Sequence, residues 1–280
     1  MQSHTLLIGE FVGRHTSKMH PEMDWGQKGV CGYDASFLRQ LHARLGEDTT
    51  TLYELSKSCD HPSTPDAVVL VIHTPKELAD RVLEEVSKLP FAQTHVQYGK
   101  VCNSINRRLC YIGAFAKDAD SETGQQPVRT WEQLPACKEV RDRLHSTLDD
   151  TECMVGCVLQ YPDILKGGIG WHGDAERCKS LVMRLGHVLH PLWFRFFQNS
   201  DAVSTAIPVA LTHGDIAIAC QVAVGTNYKM RSRVTVRHAT GFLKDPVPVL
   251  KREKEKQKKT KTTTTTTVAK TIAKKTTPTK

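Results

Sequence analysis

The sequence predicts an α+β protein in which a mixed, helix-bearing N-terminal half packs against a β-sandwich built from the C-terminal half. Three observations predict it. Helical periodicity, with apolar residues three and four apart, is clear only in the first 150 residues. From Cys153 onward, short apolar runs recur between turn signals, the pattern of a sandwich or barrel. Within that β-rich half, the stretch Gly167-Gly168-Ile169-Gly170-Trp171-His172-Gly173-Asp174 sets an imidazole and a carboxylate two residues apart, on one face of an extended strand.

In chain order, Leu6-Leu7-Ile8 reads as a short strand, and His15, Met19 and His20 as loop. Asp34 caps a helix whose stripe is Phe37, Leu38, Leu41 and Leu45 and whose end is Gly46. Residues 67–72 form a continuous, β-branched apolar run, the mark of a buried strand. Thr74 as N-cap, Pro75 in the first turn and Glu77 closing a capping box open the next helix, whose stripe is Leu78, Val82, Val86 and Leu89. Strands are expected at 96–102 and 109–115, then a helix with Val140, Leu144 and Leu148 on one side. The C-terminal strands are expected at 154–161, 171–174, 179–185, 192–197, 206–211, 215–219 and 231–237. The chain divides into an N-terminal extension with one helix (1–65), a main domain (66–245) and a tail (246–280).

The net charge of +8 is concentrated at one end. Residues 251–280 carry eleven Lys/Arg against two Glu, a net +9, which leaves −1 on the other 250 residues. With a threonine run at 262–267 and few apolar residues, this tail is expected to be disordered. A flexible polycation attracts nucleic acid by releasing condensed counterions. A solubilising or nuclear-targeting tail is the other reading. Nine scattered cysteines without CxxC spacing fit reduced thiols in an intracellular protein, not a disulfide framework. Cys153 and Cys157 have the spacing of half a zinc site, but no second half answers them. No run of 18 apolar residues and no signal-peptide pattern appears, so a monomer of the nucleus or cytoplasm is expected, neither secreted nor membrane-bound.

Two stretches carry chemistry. His172 and Asp174 offer two of the three groups of a 2-His-1-carboxylate metal site. Alone the pair is a weak signal in a chain with 13 histidines. In Arg231-Ser232-Arg233-Val234-Thr235-Val236-Arg237, period two sets Arg231, Arg233 and Arg237 on one face. That is either an edge strand charged against aggregation or a clamp for a carboxylate or phosphate. Glu176 and Arg177 either support the metal pair or form an ordinary ion pair. Trp171 and the run Trp193-Phe194, Phe196-Phe197 read as packing.

Taken in order, Tyr161, His172-x-Asp174, Gly214-Asp215 opening a strand, and Arg231 with Arg237 resemble the AlkB-like group of Fe(II)/2-oxoglutarate oxygenases, over roughly residues 66–242. Uncharacterised members in large DNA viruses are similar in their Gly-Ile-Gly-aromatic-His-Gly-Asp stretch and Arg-His-Ala-x-Gly ending. The resemblance implies a double-stranded β-helix (jelly-roll) core in the C-terminal half. It implies Fe(II), 2-oxoglutarate and O2, and hydroxylation or demethylation of nucleic acid or an associated protein. It assigns His172 and Asp174 to the metal and Arg231 to the distal carboxylate of 2-oxoglutarate. Arg237 falls near the metal-bound end of that acid, and Tyr161 becomes a hydrogen-bond donor to it.

Two departures stand out. Leu159 occupies the position of the family's Asn, and no histidine lies between Asp215 and Arg231, where the third ligand belongs. His238 is the nearest downstream candidate, although alternation sets it on the face opposite Arg237 unless a bulge intervenes. His187, His190 and His213 are weaker candidates. A catalytically silent fold that binds nucleic acid is the alternative reading.

Overall fold

The computed structural model describes residues 3–9, 32–97, 99–151, 155–175, 177–187, 189 and 191–241. The described residues fall within one compact unit. The expectations for the tail, and for Glu176 and His190, lie outside the described residues.

The first part of the chain supplies β1 (Ser3–Gly9), α1 (Ala35–Leu45), β2 (Thr50–Glu54), β3 (Val68–Ile72), α2 (Lys76–Ser87), β4 (Thr94–Gln97), β5 (Lys100–Asn103), β6 (Arg108–Gly113), β7 (Val128–Thr130) and α3 (Pro135–Leu148). The second supplies β8 (Val155–Tyr161), β9 (Gly168–His172), β10 (Ser180–Leu185), β11 (Leu192–Gln198), β12 (Asp201–Ala202), β13 (Ile207–Val209), β14 (Ile216–Ala219), α4 (Gln221–Val224) and β15 (Thr235–Gly241). Eight strands form one sheet in the order β2-β3-β14-β10-β1-β8-β6-β7. A second sheet runs β12-β11-β15-β9, with β13 paired to β11.

This arrangement corrects two expectations. The sheets are not the property of the C-terminal half, because five strands of the large sheet come from before residue 135. Nor are residues 1–65 an appendage. β1 sits in the middle of the large sheet, with Thr5 opposite Leu159 of β8 on one side and Arg184 of β10 on the other. Leu38 and Leu41 of α1 belong to the main core.

Period two then sorts the strand residues. Leu6 and Ile8 are buried with Leu78 and Val82 of α2 and Val140 of α3, so the helices cover one face of the large sheet. Thr5 and Leu7 point the opposite way, into a cavity closed by the second sheet.

The α1 start is as expected, with the Asp34 carboxylate accepting from the Phe37 amide at 2.6 Å. Thr74 does not cap α2: Pro75 takes that position without a side-chain bond. The α3 start is held from outside, by Glu85 of α2, whose carboxylate accepts from the amides of Ala136 and Cys137 at 2.7 and 3.0 Å. The strand expected at 96–102 is a hairpin, β4–β5. The arginine strand begins only at Thr235, and residues 231–233 form a turn. Among the described residues no helix is long and apolar enough to cross a membrane.

Candidate metal centre

β9 and β15 run antiparallel, and His238 pairs directly with His172. The next pair is Thr240 with Ile169, so two residues of β15 span three of β9. The bulge therefore lies in β9, beside the candidate ligands. Because β15 itself alternates regularly, His238 and Thr240 share the cavity face and Arg237 takes the other. Phe194 on β11 continues the same row, opposite His238.

Asp174 follows the end of β9, and the residue between it and His172 has to be glycine. A Cβ at Gly173 would stand 2.3 Å from the Gly225 carbonyl oxygen and 2.7 Å from Cβ of Tyr228. The Asp174 amide donates to the Val224 carbonyl at 3.1 Å, which ties the carboxylate to α4.

His172, Asp174 and His238 each bring one ligand atom within 4.8 Å of the others. His172 Nε2 lies 3.6 Å from Asp174 Oδ1, and His238 Nε2 lies 3.9 Å from Asp174 Oδ2. His172 Nδ1 lies 2.8 Å from the Gly170 carbonyl oxygen. A carbonyl only accepts, so Nδ1 donates to it, and Nε2 is the ring nitrogen turned toward the carboxylate. This is how a metal-ligating histidine is fixed in its tautomer. Burial pushes the His238 pKa down to about 4, which keeps its imidazole neutral and able to ligate near pH 7. Arg177 Nε stands 3.4 Å from Asp174 Oδ2 and adds positive charge beside the carboxylate.

The three residues line a cavity of about 410 Å³. Its far wall carries Arg184 of β10, only 3% exposed. The guanidinium donates to Thr5 Oγ1 and Thr240 Oγ1, both at 2.6 Å, and meets the Tyr161 hydroxyl. Among the described residues it has no carboxylate partner, and its Nε has no hydrogen bond. Burial lowers the pKa of Arg184 and raises that of Tyr161. A buried cation without a counter-ion costs several kcal/mol, roughly, unless something anionic meets it.

The structure thus gathers His172, Asp174, His238 and Tyr161 around one cavity, with Leu159 also in its wall. It does not gather the arginine pair. Arg231 is exposed in the turn before β15, and Arg237 lies on the other face of the sheet, its Cζ 4.5 Å from the Phe197 ring centroid. The physical reason is the late start of β15, which leaves Arg231 outside the strand and sets the register by His238. Of the other histidines, His187 is exposed and His213 pairs with Asp80 at 3.2 Å, away from the cavity. Arg184 and Thr240 escaped the sequence reading. A signal existed, since Arg184 interrupts the apolar run Leu181-Val182-Met183-Arg184-Leu185, where a buried charge is unusual.

No family model matches the chain. Over 202 residues it is 28% identical to an uncharacterized protein of Acanthamoeba polyphaga mimivirus, a match spanning 69% of this chain and 78% of that protein.

Proposed function

We propose that this chain is an Fe(II)/2-oxoglutarate-dependent oxygenase of the AlkB-like type, with the two facing sheets as its jelly-roll core. One observation carries the reading: two imidazoles and a carboxylate converge on a cavity that is also lined by a buried guanidinium with no carboxylate partner among the described residues. Two histidines and one carboxylate leave coordination positions open, which is the donor set of non-haem Fe(II) oxygenases. His238 serves as the third ligand that the segment between Asp215 and Arg231 lacks.

Arg184 takes the place that the resemblance gave to Arg231 and Arg237. A guanidinium fork matches a carboxylate, and an anion here would relieve the cost of the buried charge. Thr240, hydrogen-bonded to Arg184, is two residues from His238 on the same face, about 7 Å along the strand. That spacing suits a five-carbon 2-oxo diacid, with the oxo acid end toward the ligand triad and the distal carboxylate on Arg184. The Tyr161 hydroxyl adds a donor at the Arg184 end.

When bound, Fe(II) and 2-oxoglutarate supply oxidation of a C–H bond by O2, coupled to decarboxylation of the acid. The chain's own contribution is ligation, orientation and dryness. Leu192, Phe194 and Val182 wall the cavity with apolar surface. The polycation at 251–280 supports a nucleic acid, or a protein attached to one, as the substrate.

The test is succinate release with Fe(II) and 2-oxoglutarate, comparing wild type with the His172→Ala/Asp174→Ala double variant. Equal release from both proteins removes the enzyme reading. Anaerobic titration with Mn(II) separates loss of metal from loss of chemistry.

A further inference from the structure

The arginines that the cavity does not use make a second, independent arrangement. On the outer face of the small sheet, Arg195 of β11 and Arg237 of β15 oppose each other in register. Like charges at such cross-strand positions destabilise a sheet. Here the cost is sharpened by burial: Arg195 is only 5% exposed, and burial lowers its pKa.

Neither guanidinium has a carboxylate partner among the described residues. Arg195 has one hydrogen bond, from Nε to the Ser204 carbonyl at 3.0 Å, and its buried Nη2 has none. The Arg237 guanidinium has no hydrogen bond among the described residues, and its buried Nε is unsatisfied. Aromatic rings take up part of the charge. Arg195 Cζ lies 5.7 Å from the Trp171 ring centroid, and Arg237 Cζ lies 4.5 Å from that of Phe197 and 5.8 Å from that of Tyr228. A ring, however, satisfies charge through its face. It offers no acceptor to N–H bonds that lie in the guanidinium plane. The Nη atoms of Arg237 are unpaired and are not sealed from solvent, so the fork is open at its outer end. Exposed Arg231 and Arg233 stand in the turn leading to β15, and the Asn199 amide, bonded to the Arg231 carbonyl at 3.2 Å, ties that turn to the β11–β12 hairpin.

We propose that Arg195 and Arg237 form a binding site for a phosphoryl group on the outer face of the small sheet, separate from the metal cavity. Two guanidinium forks on register-paired residues supply in-plane donors and two positive charges, which a tetrahedral phosphate oxyanion satisfies together. Trp171, Phe197 and Tyr228 hold the guanidinium planes in place. The phosphoryl group is either free or part of a nucleotide chain. The site does not depend on the oxygenase reading, since none of its residues is in the ligand triad.

The experiment is thermal unfolding of the full chain, metal-free, in inorganic phosphate and in chloride of matched ionic strength. A second arm uses a ten-residue oligothymidylate. The proteins are wild type, Arg195→Met, Arg237→Gln and His172→Ala. A ligand that binds only the folded state raises Tm, so the basic tail, if equally accessible in both states, adds no shift. Wild type and His172→Ala are expected to gain about 4 °C at ~20 mM phosphate or in saturating oligonucleotide, and the two arginine variants to gain none. A shift with phosphate identifies a free anion as sufficient, and a shift with the oligonucleotide alone identifies a phosphodiester chain. The variants are expected to fold, because each removes a like-charge neighbour, and a Tm in chloride no lower than wild type checks this for each of them. No shift in wild type under either ligand, or equal shifts in wild type and both arginine variants, overturns the proposal.

Discussion

His238 faces His172 across the β9–β15 ladder with ring centroids 4.2 Å apart, and both Nε2 atoms approach Asp174. Two imidazoles at that distance, with one carboxylate near both, form a candidate site for a shared cation. Replacing His238 with Ala is therefore expected to abolish stoichiometric Fe(II) or Mn(II) binding as fully as His172→Ala does. Anaerobic isothermal titration of the two variants measures it. Wild-type affinity in His238→Ala would remove this residue from the ligand set.

Arg184 and Arg231 make opposite predictions. Arg184→Met is expected to weaken 2-oxoglutarate binding by about 2–3 kcal/mol, ~30- to 150-fold, while leaving Mn(II) binding intact. Because the guanidinium is buried without a counter-ion, the same change should not lower the Tm of the metal-free protein. Arg231→Ala should leave 2-oxoglutarate affinity unchanged. Equilibrium binding of the acid to the Mn(II)-loaded proteins reads both, and a loss in Arg231→Ala alone would return the anchor to the arginine turn.

Gly173→Ala is a test of geometry without any change in donors. Its added methyl has to displace the Gly225 carbonyl or the Tyr228 side chain. The expected cost is about 1–3 kcal/mol of stability, with loss of metal binding because Asp174 moves with its neighbour. Urea unfolding and Mn(II) titration of the variant measure the two effects separately.

Acid sensitivity has a source in β1. His4 is buried at 4% exposure, and burial lowers its pKa from 6.5 to about 4. Between those values the unfolded chain binds a proton that the folded chain refuses. Stability is therefore complete above pH 6.5 and is lost as pH falls toward 4. The expected loss between pH 7 and pH 5 is at most about 2 kcal/mol. His4→Leu should flatten that dependence in urea unfolding at the two pH values, and an unchanged slope would assign it elsewhere.

The site was half legible in the sequence. His172 and Asp174 were readable because the two donors lie two residues apart in the sequence, although Asp174 falls just past the end of β9. Alternation placed His238 opposite Arg237, and that holds. What alternation could not say is which of the two faces looks into the cavity, since that is decided by the partner sheet. Arg231 was misplaced because an apolar alternation of only two valines does not fix where a strand begins. The helix stripes of α1, α2 and α3 were readable from their periodicity. The position of β1 was not, because pairing partners about 150 residues or more away leave no local trace in Leu6-Leu7-Ile8.

That same strand sets an order of events. Among the described residues β1 pairs with β8 and β10, so Ser3–Gly9 have no strand partner until residues 155–161 have been made and no second one until residues 180–185 have. The middle of the large sheet is thus completed by joining an early strand to two much later ones. Such distant pairing slows folding and lengthens the time that strand edges stay open to other chains.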